Sequence, residues 1–161
     1  MVVVSTDAAA SESRLAAAVL PLGCVVPVGG PEGDMATHRD CSVAARPEIR
    51  ASFDEMRQLA DDWDEEGAPR PSDDAIERAH EVLRWLDEDG IQAFDLCVDP
   101  DVLGGVGVLI WRDRESRAWV SCDNKGRDTV VCSDADGVRA FPWGDEGRAL
   151  LSVFLRGEGG P

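Results

Sequence analysis

The chain has 161 residues, with 32 acidic and 16 basic side chains and a formal net charge of -16 at pH 7. That length accommodates one compact domain plus a tail, since domains cluster at about 100–150 residues. A field of this sign repels a phosphate backbone and an anionic membrane surface, so no direct nucleic-acid or membrane binding is expected; another protein with a basic surface is the suitable partner. Acidity that serves only solubility is the competing reading.

Residues 1–47 carry Ala, Ser, Gly and Pro without a sustained period, as in Ala8-Ala9-Ala10 and Gly29-Gly30-Pro31-Glu32-Gly33. This composition predicts a disordered or partner-docking arm. Within it, Arg14 followed by an apolar run from Leu15 to Leu22 and then Gly23-Cys24 has the look of a lipoprotein signal. Asp7 and Glu12 outweigh Arg14, however, and Pro21 interrupts the run, so lipidation at Cys24 is the disfavoured alternative to a short segment that docks on the domain or on a partner. No stretch reaches the roughly 18 apolar residues of a spanning helix. The five cysteines, Cys24, Cys41, Cys97, Cys122 and Cys132, are odd in number and lack a C-x-x-C spacing. They read as reduced thiols of a cytoplasmic protein, with Cys97, Cys122 and Cys132 packed as small hydrophobes.

Residues 48–156 form the predicted domain. Ser52-Phe53-Asp54-Glu55 has the form of a capping box and predicts a helix from there to about Trp63, with Phe53, Met56, Leu59, Ala60 and Trp63 on its apolar face. Ser72 predicts the start of a second helix, with Asp73 and Asp74 at the positive end of its dipole. Ile76, Ala79, Val82, Leu83 and Leu86 line its core side, and Gly90 stops it. Beyond Gly90 the pattern is of strands: Ala93 to Val98, Gly105 to Trp111, Arg117 to Cys122, Thr129 to Cys132 and Val138 to Phe141, joined by Asp-rich and Gly-containing turns. Gly147 to Leu155 reads as a short closing helix, and 157–161 as a frayed tail. The predicted class is therefore α+β, with two N-terminal helices on one face of a small antiparallel β-meander of three to five strands.

The run Leu59-Ala60-Asp61-Asp62-Trp63-Asp64-Glu65-Glu66-Gly67-Ala68-Pro69-Arg70-Pro71-Ser72, a helix, and then Gly104-Gly105-Val106-Gly107-Val108-Leu109-Ile110-Trp111 resembles a group of short prokaryotic proteins. In that group a Trp-Asp-x-x-Gly-Ala-x-x-Pro-Ser block precedes a helix and a Gly-Gly-Val-x-Leu-x-Trp hairpin. The resemblance covers roughly residues 52–125. It implies a fold, and an accessory role in mobile or defence-related gene sets that includes antitoxin-like regulation; it supplies no catalytic residues.

Four features bear on chemistry. Asp62, Asp64, Glu66, Gly67 and Asp73 fall at positions 1, 3, 5, 6 and 12 of an EF-hand-like register, but Pro69, Pro71 and an Asp at the last position oppose calcium; the alternative has Trp63 plugging the core while Gly67 and the prolines turn the chain. His80 reads as a boundary residue, and no Ser/His or Cys/His pairing points to nucleophilic catalysis. Gly104-Gly105-Val106-Gly107 enters a strand where a phosphate loop opens a helix, so no nucleotide or other cofactor is expected. Trp111 and Trp119 lie on adjacent strands, and Trp119 is a candidate interface anchor set against a core role. The expectation is a non-enzymatic, protein-binding regulatory factor that uses Asp61, Asp62, Asp64, Glu65, Glu66, Asp73, Asp74 and Trp119. Nucleic-acid mimicry and calcium sensing are the alternatives.

Overall fold

Alternation of apolar and polar side chains from 95 to 142 has a period of two, which builds strands whose successive residues face opposite sides. In the computed structural model these strands are β1 (Asp95–Pro100), β2 (Gly105–Trp111), β3 (Arg117–Asp123), β4 (Thr129–Asp134) and β5 (Gly137–Pro142). They form one antiparallel sheet in the order β1-β2-β3-β4-β5, a simple meander. Description covers residues 42–158 apart from 92 and 94, all within the compact unit Gly33–Pro161. The expectations for Cys24, Cys41 and the segment before Ser42 fall outside these residues.

Register sets the two faces. Leu96, Ile110, Ala118 and Cys132 align across four strands, as do Val98, Val108, Val120 and Val130, and all are buried against the helices. Cys97, Leu109, Trp119 and Val131 align on the opposite face. Among the described residues three α-helices accompany the sheet: α1 (Pro47–Met56), α2 (Asp73–Glu88) and α3 (Asp145–Arg156). Helix α1 packs beside β1, α2 spans β2 and β3, and α3 lies along β4. The architecture thus has a third helix packed on the sheet beside the two expected N-terminal ones.

Helix α2 behaves as its sequence dictates. The Ser72 hydroxyl accepts the Ala75 N–H at 3.1 Å, Asp73 and Asp74 occupy the first turn, and Gly90 follows the helix with φ 66°. Ile76, Val82, Leu83 and Leu86 are fully buried, each side chain contributing about 1.5–3 kcal/mol of transfer free energy.

Helix α1 corrects the expectation. It begins at Pro47, whose fixed φ and missing N–H suit the first helical position, with extended Arg46 before it. The presumed cap Ser52 lies inside the helix, where its hydroxyl donates back to the Glu48 carbonyl at 3.2 Å. The helix stops at Met56 rather than Trp63: Gln58 and Leu59 close tight turns onto the Glu55 and Met56 carbonyls, and Asp62, at positive φ, donates to the Ala68 carbonyl instead. Ile49, Phe53 and Met56 form the buried face, and His80 stacks on Phe53 at 3.8 Å between ring centroids. Burial holds the His80 imidazole below its ordinary pKa.

The domain also starts earlier than 48. Val43 is only 6% exposed within the core, and its N–H donates to Asp87 at 2.8 Å. At the other end, Gly157 takes a left-handed φ of 67° and closes α3, its N–H bonding the Phe154 carbonyl while Glu158 bonds Val153. Residues 157 and 158 therefore belong to the folded part.

Candidate functional site

Five acidic side chains precede the Gly67 turn, and three of them shape the loop they sit in. Asp61 accepts the Arg70 N–H at 3.1 Å and Asp62 accepts the Gly67 N–H at 2.7 Å. Asp64 accepts both the Glu66 and Ala68 N–H groups, at 3.0 and 2.9 Å. The Ala68 and Glu66 amides hold the Asp64 carboxyl below the usual carboxylate range. Asp62 and Glu65 adopt left-handed φ values of 67° and 61°, and the chain folds back on itself with the Asp62 N–H bonding the Ala68 carbonyl at 2.8 Å. Asp61, Asp62, Glu65 and Glu66 are exposed, as are Asp73 and Asp74 on the first turn of α2; Asp64 is half-buried.

The calcium geometry is not assembled. Helix α1 ends before the loop, so no helix flanks it on that side, and Asp62 and Asp64 each commit an oxygen to the loop's own amides. Among the described residues no group of three or more His, Cys, Asp or Glu side chains is placed to hold a metal ion. Trp63 is half-buried in the loop and stands outside the core cluster, which corrects its expected role as a core plug.

The two halves of the sequence block meet in space. Asn124, in the β3–β4 turn, accepts the Ser72 N–H at 2.8 Å and donates to the Arg70 carbonyl at 2.9 Å. Gly104 lies against both Pro69 and Asn124: a Cβ there would stand 2.7 Å from the Pro69 ring and 2.9 Å from the Asn124 amide. The acidic loop is thereby clamped to the tip of the β1–β2 hairpin. That tip presents Val102 at 49% and Leu103 at 86% exposure, side chains that sequence patterning did not single out. Their signal was available: an apolar pair between Asp101 and Gly104 in a turn has no core to enter.

From the tip the surface continues onto the open sheet face. A shallow depression of about 390 Å³ is lined by Leu103, Gly104, Ser121, Asn124 and Lys125 among others. Ser121 shares its face with Trp119, two residues away on β3. Trp119 is half-buried and lies over Gly107, where an added Cβ would overlap the indole ring. Trp111 is likewise half-buried on this face, so neither tryptophan belongs to the core between sheet and helices. The thiols of Cys122 and Cys132 are buried on the other side, and desolvation raises them to about 12 and about 11. Neither is a nucleophile at neutral pH.

The chain was compared with protein-family models, curated proteins and solved structures, and none of the three comparisons finds a match.

Proposed function

We propose that the chain is a non-enzymatic, acidic accessory or regulatory factor, inhibitor- or antitoxin-like, that binds a protein with a basic surface in the cytoplasm of a prokaryote, within a defence or toxin-type gene set. The observation that carries this reading is the stiffened loop: Asp61, Asp62 and Asp64 are held by backbone hydrogen bonds, Glu65, Glu66, Asp73 and Asp74 are exposed beside them, and the loop is clamped to the hairpin tip that carries the 86% exposed Leu103. An apolar anchor ringed by fixed charge is the arrangement that hot-spot interfaces use, and preorganisation lowers the entropy lost on binding. Charge complementarity adds association rate and selectivity for a basic partner. Trp119 extends the same surface as a second anchor.

Affinity capture of the tagged full chain from its native cell, at low and high salt, tests the reading. One stoichiometric partner released by high salt supports it. Absence of any partner at both salts removes it. The cluster of exposed carboxylates suits a narrower form, nucleic-acid mimicry, in which binding to a nucleic-acid-binding protein weakens steeply and log-linearly with salt; a flat dependence removes mimicry alone.

A further inference from the structure

The opposite end of the sheet carries a second surface. On the helix-bearing face, between α3 and the β4–β5 hairpin, an open groove of about 1080 Å³ has Cys132, Phe141 and Phe154 as its floor. Its wall is formed by Leu150 and Val153 of α3, which are 44% and 38% exposed. The walls are held in place. Arg112 donates to the Phe154 carbonyl at 3.1 Å and to the Ser116 hydroxyl at 2.6 Å, with its guanidinium 5.0 Å from the Phe154 ring centroid. Asp89, just beyond α2, accepts from Ser152 at 2.8 Å and from Arg156 at 2.9 Å, and so fixes α3 from its other side.

Charge at the rim selects the occupant. Two of the three rim arginines are already neutralised, Arg112 by Asp113 at 2.9 Å and Arg139 by Asp134 at 2.8 Å. Among the described residues Glu115, Asp136 and Glu158 form no salt bridge, and Arg114 is the one remaining arginine of the lining. The C-terminal end of α3 borders the groove through Val153, Phe154 and Gly157, and its dipole adds negative potential there.

We propose that this groove docks a cationic amphipathic helix of a partner protein. A helix about 10 Å across, rising about 1.5 Å per residue, lays one face in such a groove over roughly two turns, about 11 Å. That length places apolar side chains at i, i+3 or i+4, and i+7 on the floor while lysines or arginines reach Glu115, Asp136 and Glu158. The surface lies at the end of the sheet away from the acidic loop, and only its biological setting rests on the regulatory-factor reading.

The test uses a peptide of about fourteen residues with Leu at i, i+3, i+4 and i+7 and Lys elsewhere, beside a Glu-for-Lys and a Ser-for-Leu version. Each is titrated onto the full chain, with affinity read by calorimetry and location by amide chemical shifts. The Leu/Lys peptide is expected to move the amides of α3 and of the 112–116 and 134–137 turns. Both control peptides are expected to bind at least about tenfold more weakly, as is the Leu/Lys peptide to the Leu150→Ser/Val153→Ser variant, whose two positions are exposed and tolerate serine. A Glu115→Lys/Asp136→Lys variant weakens binding at least about fivefold. Shifts centred on residues 61–74, or affinity unchanged in the groove variants, overturn the proposal. If the native partner is captured equally by the Leu150→Ser/Val153→Ser chain, the groove is overturned while the acidic-factor reading stands. Groove-dependent peptide binding with no captured partner supports the groove and removes that reading.

Discussion

Gly107 and Trp119 offer a test in which the sign of one substitution depends on another. Gly107 is on the interior strand β2 and has no positive φ, so its backbone accepts an alanine; what forbids a side chain is the Trp119 indole lying over it. Two terms compete in Gly107→Ala. Overpacking against the ring costs about 1–3 kcal/mol. Replacing glycine within a strand returns roughly 0.5–1 kcal/mol of backbone entropy. In the native background the first term wins, and the substitution destabilises by about 1–2 kcal/mol. With Trp119→Ala already in place the first term vanishes, and the same substitution stabilises by roughly 0.5–1 kcal/mol. The coupling is then about 1–3 kcal/mol, within the range of residues in direct contact. Urea denaturation followed by far-UV circular dichroism measures all four corners without depending on tryptophan emission. Additive effects, or a Gly107→Ala that is neutral in both backgrounds, would refute the idea that the glycine exists to seat Trp119 on the open face.

Four further outcomes follow from the same structure. Ser72→Ala removes the α2 cap and should cost about 1 kcal/mol, read as a lower urea midpoint with an unchanged slope, whereas Ser72→Gly costs a few tenths. The Glu115 N–H and the Arg112 guanidinium hold Asp113 at about 2 against an ordinary 3.8, so the unfolded chain takes up that proton first. Its contribution is present above pH 3.8 and is lost as pH falls towards 2; Asp113→Asn should flatten the acid-unfolding profile in that window. Arg78 pairs with Asp128, whose side chain is 7% exposed, at 2.8 Å; Arg78→Met strands that carboxylate and should cost about 3 kcal/mol by chemical denaturation. Cys122 and Cys132 should resist alkylation at pH 8 in the native protein and react on unfolding, as mapped by mass spectrometry.

The strands and α2 were legible because one local signal decided each of them. β2 was placed from Gly105 to Trp111, as found, and the Ser72 cap and the Gly90 stop bracket α2 within a residue. Helix α1 was misread because two local signals conflicted. The Ser52 and Glu55 pair imitates a cap, but Pro47 lies five residues upstream and sets the true start, which makes Ser52 an interior residue. Downstream, apolar spacing out to Trp63 favoured helix, while Asp61, Asp62 and Asp64 could bind nearby N–H groups only in a non-helical chain, and those bonds prevailed. The sequence shows the run of carboxylates, but that Asp61, Asp62 and Asp64 bond the loop's own amides is not legible in it, because those bonds need a chain reversal with positive φ at Asp62 and Glu65 that no local pattern specifies. The exposure of Leu103 is legible in its apolar pair with Val102 between Asp101 and Gly104, whereas the α3 groove depends on how a third helix sits against the sheet, which no local pattern encodes.

The meander explains why the two surfaces fall where they do. Each hairpin reverses the chain, so the turns at 101–104 and 124–128 share one end of the sheet and those at 112–116 and 135–136 share the other. At the first end the α1–α2 loop closes over the tips through Asn124 and Pro69, which leaves Leu103 and the carboxylates facing outward. At the second end α3 packs chiefly along β4 and meets β5 only near Pro142, where Gly147 comes close, so Phe141 on β5 stays half-buried beside α3 in the groove. Strand β5 is exposed along most of its length, and the apolar side chains left uncovered beside it have to meet solvent or a partner. Acidic residues line both uncovered ends, which makes a basic partner segment the common complement of the two surfaces. A partner carrying two such segments would engage both ends of one sheet, and shortening the linker between them below the span should remove the avidity while leaving each single-segment affinity intact.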